Sequence, residues 1–232
     1  MKVIEPSVQQ LTPKIDDLEF LKSIELAART CYKSENKITD TSAYGFVKQL
    51  LFYGHDAMLE HAPNISLKFI CDRGVSHELV RHRLFSYAQE STRYCNYGGE
   101  VVYIVPCWFK KETKDLLLYL SNINKFTFQT YEGFPDIEMA ERVWIDAMIS
   151  AEESYRQMLN LHQAPQQGRS VLPNSLKTEI VVTGNVRQWR HFFKLRTAKN
   201  AHPQMREVAR IALDILTKQL SVLFDEFEEA YL

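Results

Sequence analysis

The spacing of apolar residues constrains this chain more than any other feature: long stretches repeat at the helical period, and only short ones alternate at the period of a strand. Over residues 136–160, Ile137, Ala140, Trp144, Ala147, Ala151, Tyr155 and Met158 fall on one stripe, and Pro135 stands just ahead of it. After Pro203 the pattern returns with Val208, Ile211, Ile215, Leu216, Leu220 and Leu223, and the run ends in the acidic stretch 225–229. Two shorter amphipathic helices are read from Leu18, Leu21, Ile24, Ala28 and Cys31, and from Tyr44, Val47 and Leu51. Ile65, Leu67, Phe69 and Cys71 alternate with polar neighbours as a half-buried strand does. Residues 101–105, stopped by Pro106, and 179–183, before Gly184, are two more strand candidates. The fold class is therefore α+β, a small and mostly antiparallel sheet packed with long helices. Residues 109–135 mix both periods and stay unassigned. With no repeat, low-complexity tract or linker, residues 1–232 read as a single domain.

Composition excludes several classes of function. Lys plus Arg number 28 and Asp plus Glu 29, a net charge of -1, so the chain is neither a polyelectrolyte binder nor a disordered tail. None of the 8 glycines has the spacing of a dinucleotide-binding turn or a P-loop. Cys31, Cys71, Cys95 and Cys107 lie too far apart to form a metal-binding pair, and they read as scattered reduced core thiols, with no metal expected. The opening MKVIEPSVQQ lacks the apolar stretch of a secretion signal, and no run approaches the ~20 apolar residues that span a bilayer. A cytoplasmic location without membrane contact is the expectation.

Positive charge is concentrated in two places. Residues 185–206 carry six Lys/Arg and two His with no acid, which outlines an anion site, although a solvated basic face explains the charge alone equally well. Spacing favours the site. Trp189, Phe193 and Arg196 lie at i, i+4 and i+7, so Arg196 leaves the face that buries two large aromatics, where a guanidinium is costly unless an anion meets it. Arg187, Arg190 and Lys194 share a different face and read as solvent-facing charge. The other concentration is residues 81–94, after a helix start with Ser76 as N-cap and Val75 stapled to Val80. Its arginines flank hydroxyls and amides, a set suited to a phosphate plus a planar heterocycle. Ser91 has no nucleophile elbow around it, so a ligand-binding hydroxyl is the better reading.

Arg81-His82-Arg83, seven residues and then Ser91, continued by Thr92-Arg93-Tyr94, resembles the R-H-R-x7-S signature of the flavin-dependent thymidylate synthases. Three further blocks stand in that family's order: Glu60-His61, Arg169-Ser170-Val171-Leu172-Pro173, and Asn185-Val186-Arg187 leading to Leu195-Arg196. The resemblance implies a homotetramer that binds FAD, shares its active sites between subunits and makes dTMP from dUMP. It also implies that 5,10-methylenetetrahydrofolate supplies the carbon, that NADPH reduces the flavin, and that no protein nucleophile attacks the uracil.

Carried over by position, the resemblance assigns FAD contacts to His61, Arg81, His82, Arg83, Gln89, Asn185, Arg187 and His191. It assigns the dUMP pocket to Glu78, Arg81, Gln89, Glu90, Ser91, Thr92, Arg93, Arg169 and Arg196, with Arg196 the catalytic residue. Glu78, Gln89 and His191 depart from the residues common there, and each keeps hydrogen-bonding capacity. Two rivals remain. A nucleic-acid-binding surface conflicts with the net charge and lacks a recognition motif, and a flavoprotein without methyl transfer differs only in its products.

Overall fold

The structure, a computed structural model, describes residues 1–123 and 137–229. The unassigned stretch 109–135 and the proposed helix starter Pro135 thus lie wholly or partly outside the described residues. The chain divides into two compact units: residues 1–6, 70–79 and 89–180 form one, and residues 7–69, 80–88 and 181 onward form the other.

In the first unit, β1 (Lys2–Ile4) pairs in parallel with β5 (Val102–Ile104), Val3 standing opposite Tyr103. β5 is the strand expected over 101–105, and its parallel partner β1 is absent from the sequence reading, because a three-residue strand is too short to show a period. Two helices cover it, α4 (Lys111–Asn122) and α5 (Met139–Asn160). Val3, Leu117, Leu120, Ile145 and Ile149 form one apolar cluster, and Tyr103, Met148 and Tyr155 belong to another. The inner face of α5 is rotated from the expected stripe. It buries Glu141, Ile145, Met148, Ile149, Glu152 and Tyr155, while Ala140 and Ala147 are exposed. Hydrogen bonding explains the rotation. Glu141 accepts from the Thr113 hydroxyl (2.7 Å), the Lys110 N–H (2.8 Å) and the Glu138 N–H (3.3 Å), tying the starts of α4 and α5 together. Burial alone raises its pKa, but the three donors outweigh that and hold the carboxyl below its ordinary value. A buried carboxylate with donors sits comfortably in a core, and a count of apolar residues passes over it.

Helix α3 (Arg73–Leu79) starts four residues earlier than expected. Its cap is Asp72, whose Oδ1 accepts the Val75 N–H at 2.6 Å, and Ser76 is buried inside the helix, donating to the Arg73 carbonyl.

The second unit is organised on an antiparallel sheet in the order β2 (Ser7–Gln10), β3 (Ile65–Asp72), β6 (Lys177–Gly184), β4 (Ser86–Gln89), with the end of β3 and the first half of β6 counted in the other unit. On β3 the alternation is as expected, with Ile65, Leu67, Phe69 and Cys71 all buried. Helix α6 (Val186–Arg196) drives Trp189, Phe192 and Phe193 into this core. Phe69 meets Trp189 and Phe192 with ring centroids 6.3 Å apart, and the Trp189 indole N–H donates to the Ile65 carbonyl. Burial of such rings is each worth ~1.5–3 kcal/mol, which makes α6 a rigid platform.

Around that core lie α1 (Asp17–Thr30), α2 (Ser42–Phe52) and α7 (Pro203–Thr217). On α2 the buried residues are Ala43, Val47 and Leu50, and Tyr44 is exposed, so its inner face is turned by one position from the expectation. Helix α7 ends at Thr217, and a separate one-turn helix, Ser221–Phe224, carries Leu223 and Phe224 inward. The four cysteines are free, but only Cys71 is a buried thiol; Cys31 is exposed, which corrects the expectation of core positions for all.

Candidate active site

The arginine-rich triplet is held against the start of α6 by local fits. Phe85 lies under it, 4.7 Å from the Trp189 ring, and the Phe85 N–H donates to the His82 carbonyl. The Tyr87 hydroxyl donates to the same carbonyl at 2.8 Å, and Gln188 Nε2 donates to the Leu84 carbonyl at 3.0 Å. Gly184 makes this approach feasible, because a Cβ there would stand 2.2 Å from the Phe85 ring. Asn185 caps α6 by accepting the Gln188 N–H (3.0 Å), while Gln188 accepts the Asn185 N–H (2.8 Å).

These elements enclose a cleft of about 810 Å³ within the second unit. Of the expected flavin residues, Arg81, His82, Arg83, Asn185, Arg187 and His191 line it, together with the expected catalytic residue Arg196. His61 ends the short turn Asp56–His61 and is exposed, and it is not among the lining residues. The oxygen of Asn185 is committed to the helix cap, so its amide N–H groups are what it can offer a ligand.

Arg196 is half-buried at the end of α6, and it meets the arginine triplet directly. Its Nε–H donates to His82 Nε2 at 2.8 Å. The accepting nitrogen cannot carry a proton, so the imidazole is neutral. Burial, then the Arg196 charge and then His191 lower the His82 pKa from 6.5 to about 4. The ring packs edge-on to Phe192, centroids 5.1 Å apart.

On the basic face of α6, Arg187 and Lys194 are exposed, as their reading as solvent-facing charge expects, and Arg190 is not. Arg187 pairs with Glu60 at 2.5 Å, and Arg190 is largely buried, donating to the Leu223 carbonyl and to Glu226 (2.6 Å) with its guanidinium 5.1 Å above Phe227. Burial pulls the Arg190 pKa down, against Glu226 and Asp56. Both arginines line the cleft, as do Lys194, Asp56, Glu60 and Glu226. Of these, only Arg187 was expected as a site residue. A cationic helix face that buries its stems needs counter-charges, and that need was the available signal for the three acids.

The remaining expected residues lie in the first unit. The Gln89 amide donates to Ser76 Oγ (2.8 Å) and Thr178 Oγ1 (3.2 Å), so both its N–H groups are engaged. Arg169 Nη1 donates to Thr92 Oγ1 at 2.9 Å. Ser91 accepts the Arg93 N–H through its hydroxyl, and its carbonyl accepts from Tyr94 and Cys95. The Ser91 O–H donates to no described residue. Arg93 is exposed and lies over the Tyr94 ring. Glu78 is half-buried on α3. Glu90 accepts from Tyr97, Lys177 and the Glu179 backbone.

Among the described residues there is no His/Cys/Asp/Glu group able to hold a metal ion, and no helix long and apolar enough to cross a membrane.

Residues 15–220 match the family described as thymidylate synthase complementing protein. A flavin-dependent thymidylate synthase of Corynebacterium aurimucosum is 37% identical over 207 residues, covering 88% of this chain and 78% of its own. One of Mycobacterium avium is 35% identical over 216 residues, covering 90% and 80%. Among solved structures, a UMP/dUMP methylase PolB from Streptomyces cacaoi bound with 5-Br dUMP shares the fold, with a TM-score of 0.74 at 22% identity over 99% of this chain and 97% of that one.

Proposed function

Since the chain belongs to the thymidylate synthase complementing protein family, whose curated relatives are flavin-dependent thymidylate synthases, we propose that it converts dUMP to dTMP by reductive methylation. In this reading 5,10-methylenetetrahydrofolate supplies the carbon and NADPH the reducing equivalents. The observation that carries it is the cleft held by α6 and the arginine triplet. Six cations line it against three carboxylates, and the side chains of Arg81, Arg83 and Lys194 have no hydrogen-bond or ion-pair partner among the described residues. That donor set fits the pyrophosphate of FAD, and the volume lies in the range of cofactor sites, roughly 300–1,000 Å³. Once bound and reduced, FAD would supply the hydride.

Arg81, Arg83 and Arg187 would hold the phosphates of the flavin, with His82, His191 and the Asn185 amide beside it. His61 and Gln89 are further flavin contacts in this reading. Arg196 is the catalytic cation. Its charge beside the pyrimidine favours loss of the proton at the ring nitrogen and stabilises negative charge that builds up in the transition state. His82 keeps that guanidinium oriented through its Nε atom. Ser91 donates to the nucleotide, Arg93 and Arg169 clamp its phosphate, and Glu78, Glu90 and Thr92 complete the pocket. The active sites are shared between subunits of a homotetramer in the cytoplasm.

One preparation tests this. The purified protein is predicted to be yellow, to scatter light as four chains, and to form dTMP from dUMP, methylenetetrahydrofolate and NADPH. A yellow protein that oxidises NADPH without forming dTMP selects the rival flavoprotein, and colourless protein with salt-sensitive binding to bulk DNA selects the nucleic-acid rival.

A further inference from the structure

Building on the nucleotide-binding reading of residues 91–93, we propose that Tyr97 and Lys177 are positioning residues that fix the Ser91, Thr92 and Arg93 loop through the carboxylate of Glu90. Glu90 Oε1 accepts the Tyr97 O–H at 2.9 Å, and Oε2 accepts from Lys177 Nζ and from the Glu179 N–H, each at 3.2 Å. The Glu90 N–H donates in turn to the Glu179 carbonyl at 2.9 Å. Residue 90 is thereby stitched to β6 by backbone and side chain together. The Tyr97 bond closes residues 90–97 from side chain to side chain, and the residues expected to meet the nucleotide lie inside that closure.

The Tyr97 end of the loop and the segment that grips its middle both rest on one buried tyrosine. The Tyr97 N–H donates to the Tyr155 hydroxyl at 3.2 Å, and Tyr155 on α5 is fully buried. Gly168 abuts the same ring, where a Cβ would stand 3.1 Å from Cε2. The next residue, Arg169, donates to Thr92. The loop is gripped at its base through Glu90 and Tyr97, and at its middle through Arg169 and Thr92.

Hydrogen bonds to a carboxylate are stronger than neutral ones, and three converge on Glu90. Lys177 also bonds to Glu179 at 2.7 Å, and burial, which lowers its pKa, is outweighed by the two carboxylates, so it stays charged. Burial and the Glu90 acceptor push the Tyr97 phenol above its ordinary range, so it remains a donor. Neither residue needs to touch the nucleotide. Holding a binding loop in its bound shape cuts the ordering cost of association, so the effect belongs to nucleotide affinity.

The test uses the flavin-loaded enzyme, with dUMP titrated calorimetrically and in turnover. Tyr97→Phe keeps the ring against Tyr155 and removes one donor. It is predicted to raise the dUMP Kd and KM roughly tenfold, with a smaller change in kcat and with flavin content and melting temperature near wild type. Lys177→Met is predicted to act in the same direction, and Lys177→Arg to restore affinity. In a Glu90→Gln background Tyr97→Phe adds nothing further, because the two residues act through one carboxylate. Unchanged dUMP affinity in both Tyr97→Phe and Lys177→Met, or additive effects of Tyr97→Phe and Glu90→Gln, overturns the clasp while the functional reading stands. Wild-type protein that binds no dUMP overturns both.

Discussion

At the scale of single residues, the contact between Arg196 and His82 governs what the cleft can do. A neutral imidazole accepts from the Arg196 guanidinium and orients it without cancelling its charge. The arrangement carries a pH signature. In the unfolded chain His82 titrates near 6.5, and in the folded chain near 4. As pH falls through that window the unfolded chain takes up a proton that the folded chain refuses, so folded stability decreases; above 6.5 the residue contributes no pH dependence. Denaturant unfolding at pH 7.5 and pH 5 should show a larger loss of stability in the wild type than in His82→Gln. Equal losses in the two proteins would mean that His82 is not held neutral.

Among the elements, α6 and the segment that leads into β4 position the site, and their junction is a matter of volume. The Phe85 ring occupies the space that any side chain at position 184 would need. Gly184→Ala is therefore predicted to cost ~1–3 kcal/mol through overpacking, read as a lower midpoint in denaturant unfolding, and an unchanged midpoint would show that the ring moves aside freely. The same elements mark what the sequence made legible. The long helices, β3 and the Arg196 face follow from periods that a linear reading can count, and the arginine triplet with Ser91 follows from a fixed local spacing. The displaced faces of α2 and α5 do not, because Glu141 enters the core on the strength of donors from α4 that are distant in sequence. Glu60 and Glu226 escaped for a related reason. Each lies in a short turn without periodicity, and each gains its role only once folding brings it to Arg187 or Arg190.

For the molecule as a whole, global charge hides local charge. The chain is nearly neutral, with 28 basic and 29 acidic residues, while one cleft gathers six cations around it. A binder of long polyanions spreads such charge across a surface, and a cleft of about 810 Å³ confines it to something the size of a cofactor. The account stands on that cleft being where dUMP is methylated, with Arg196 as its working cation. The most direct check measures dTMP formation and bound flavin side by side in Arg196→Ala. The predicted result is loss of dTMP formation by at least about a hundredfold with flavin still bound, and dTMP formation at the wild-type rate would contradict it.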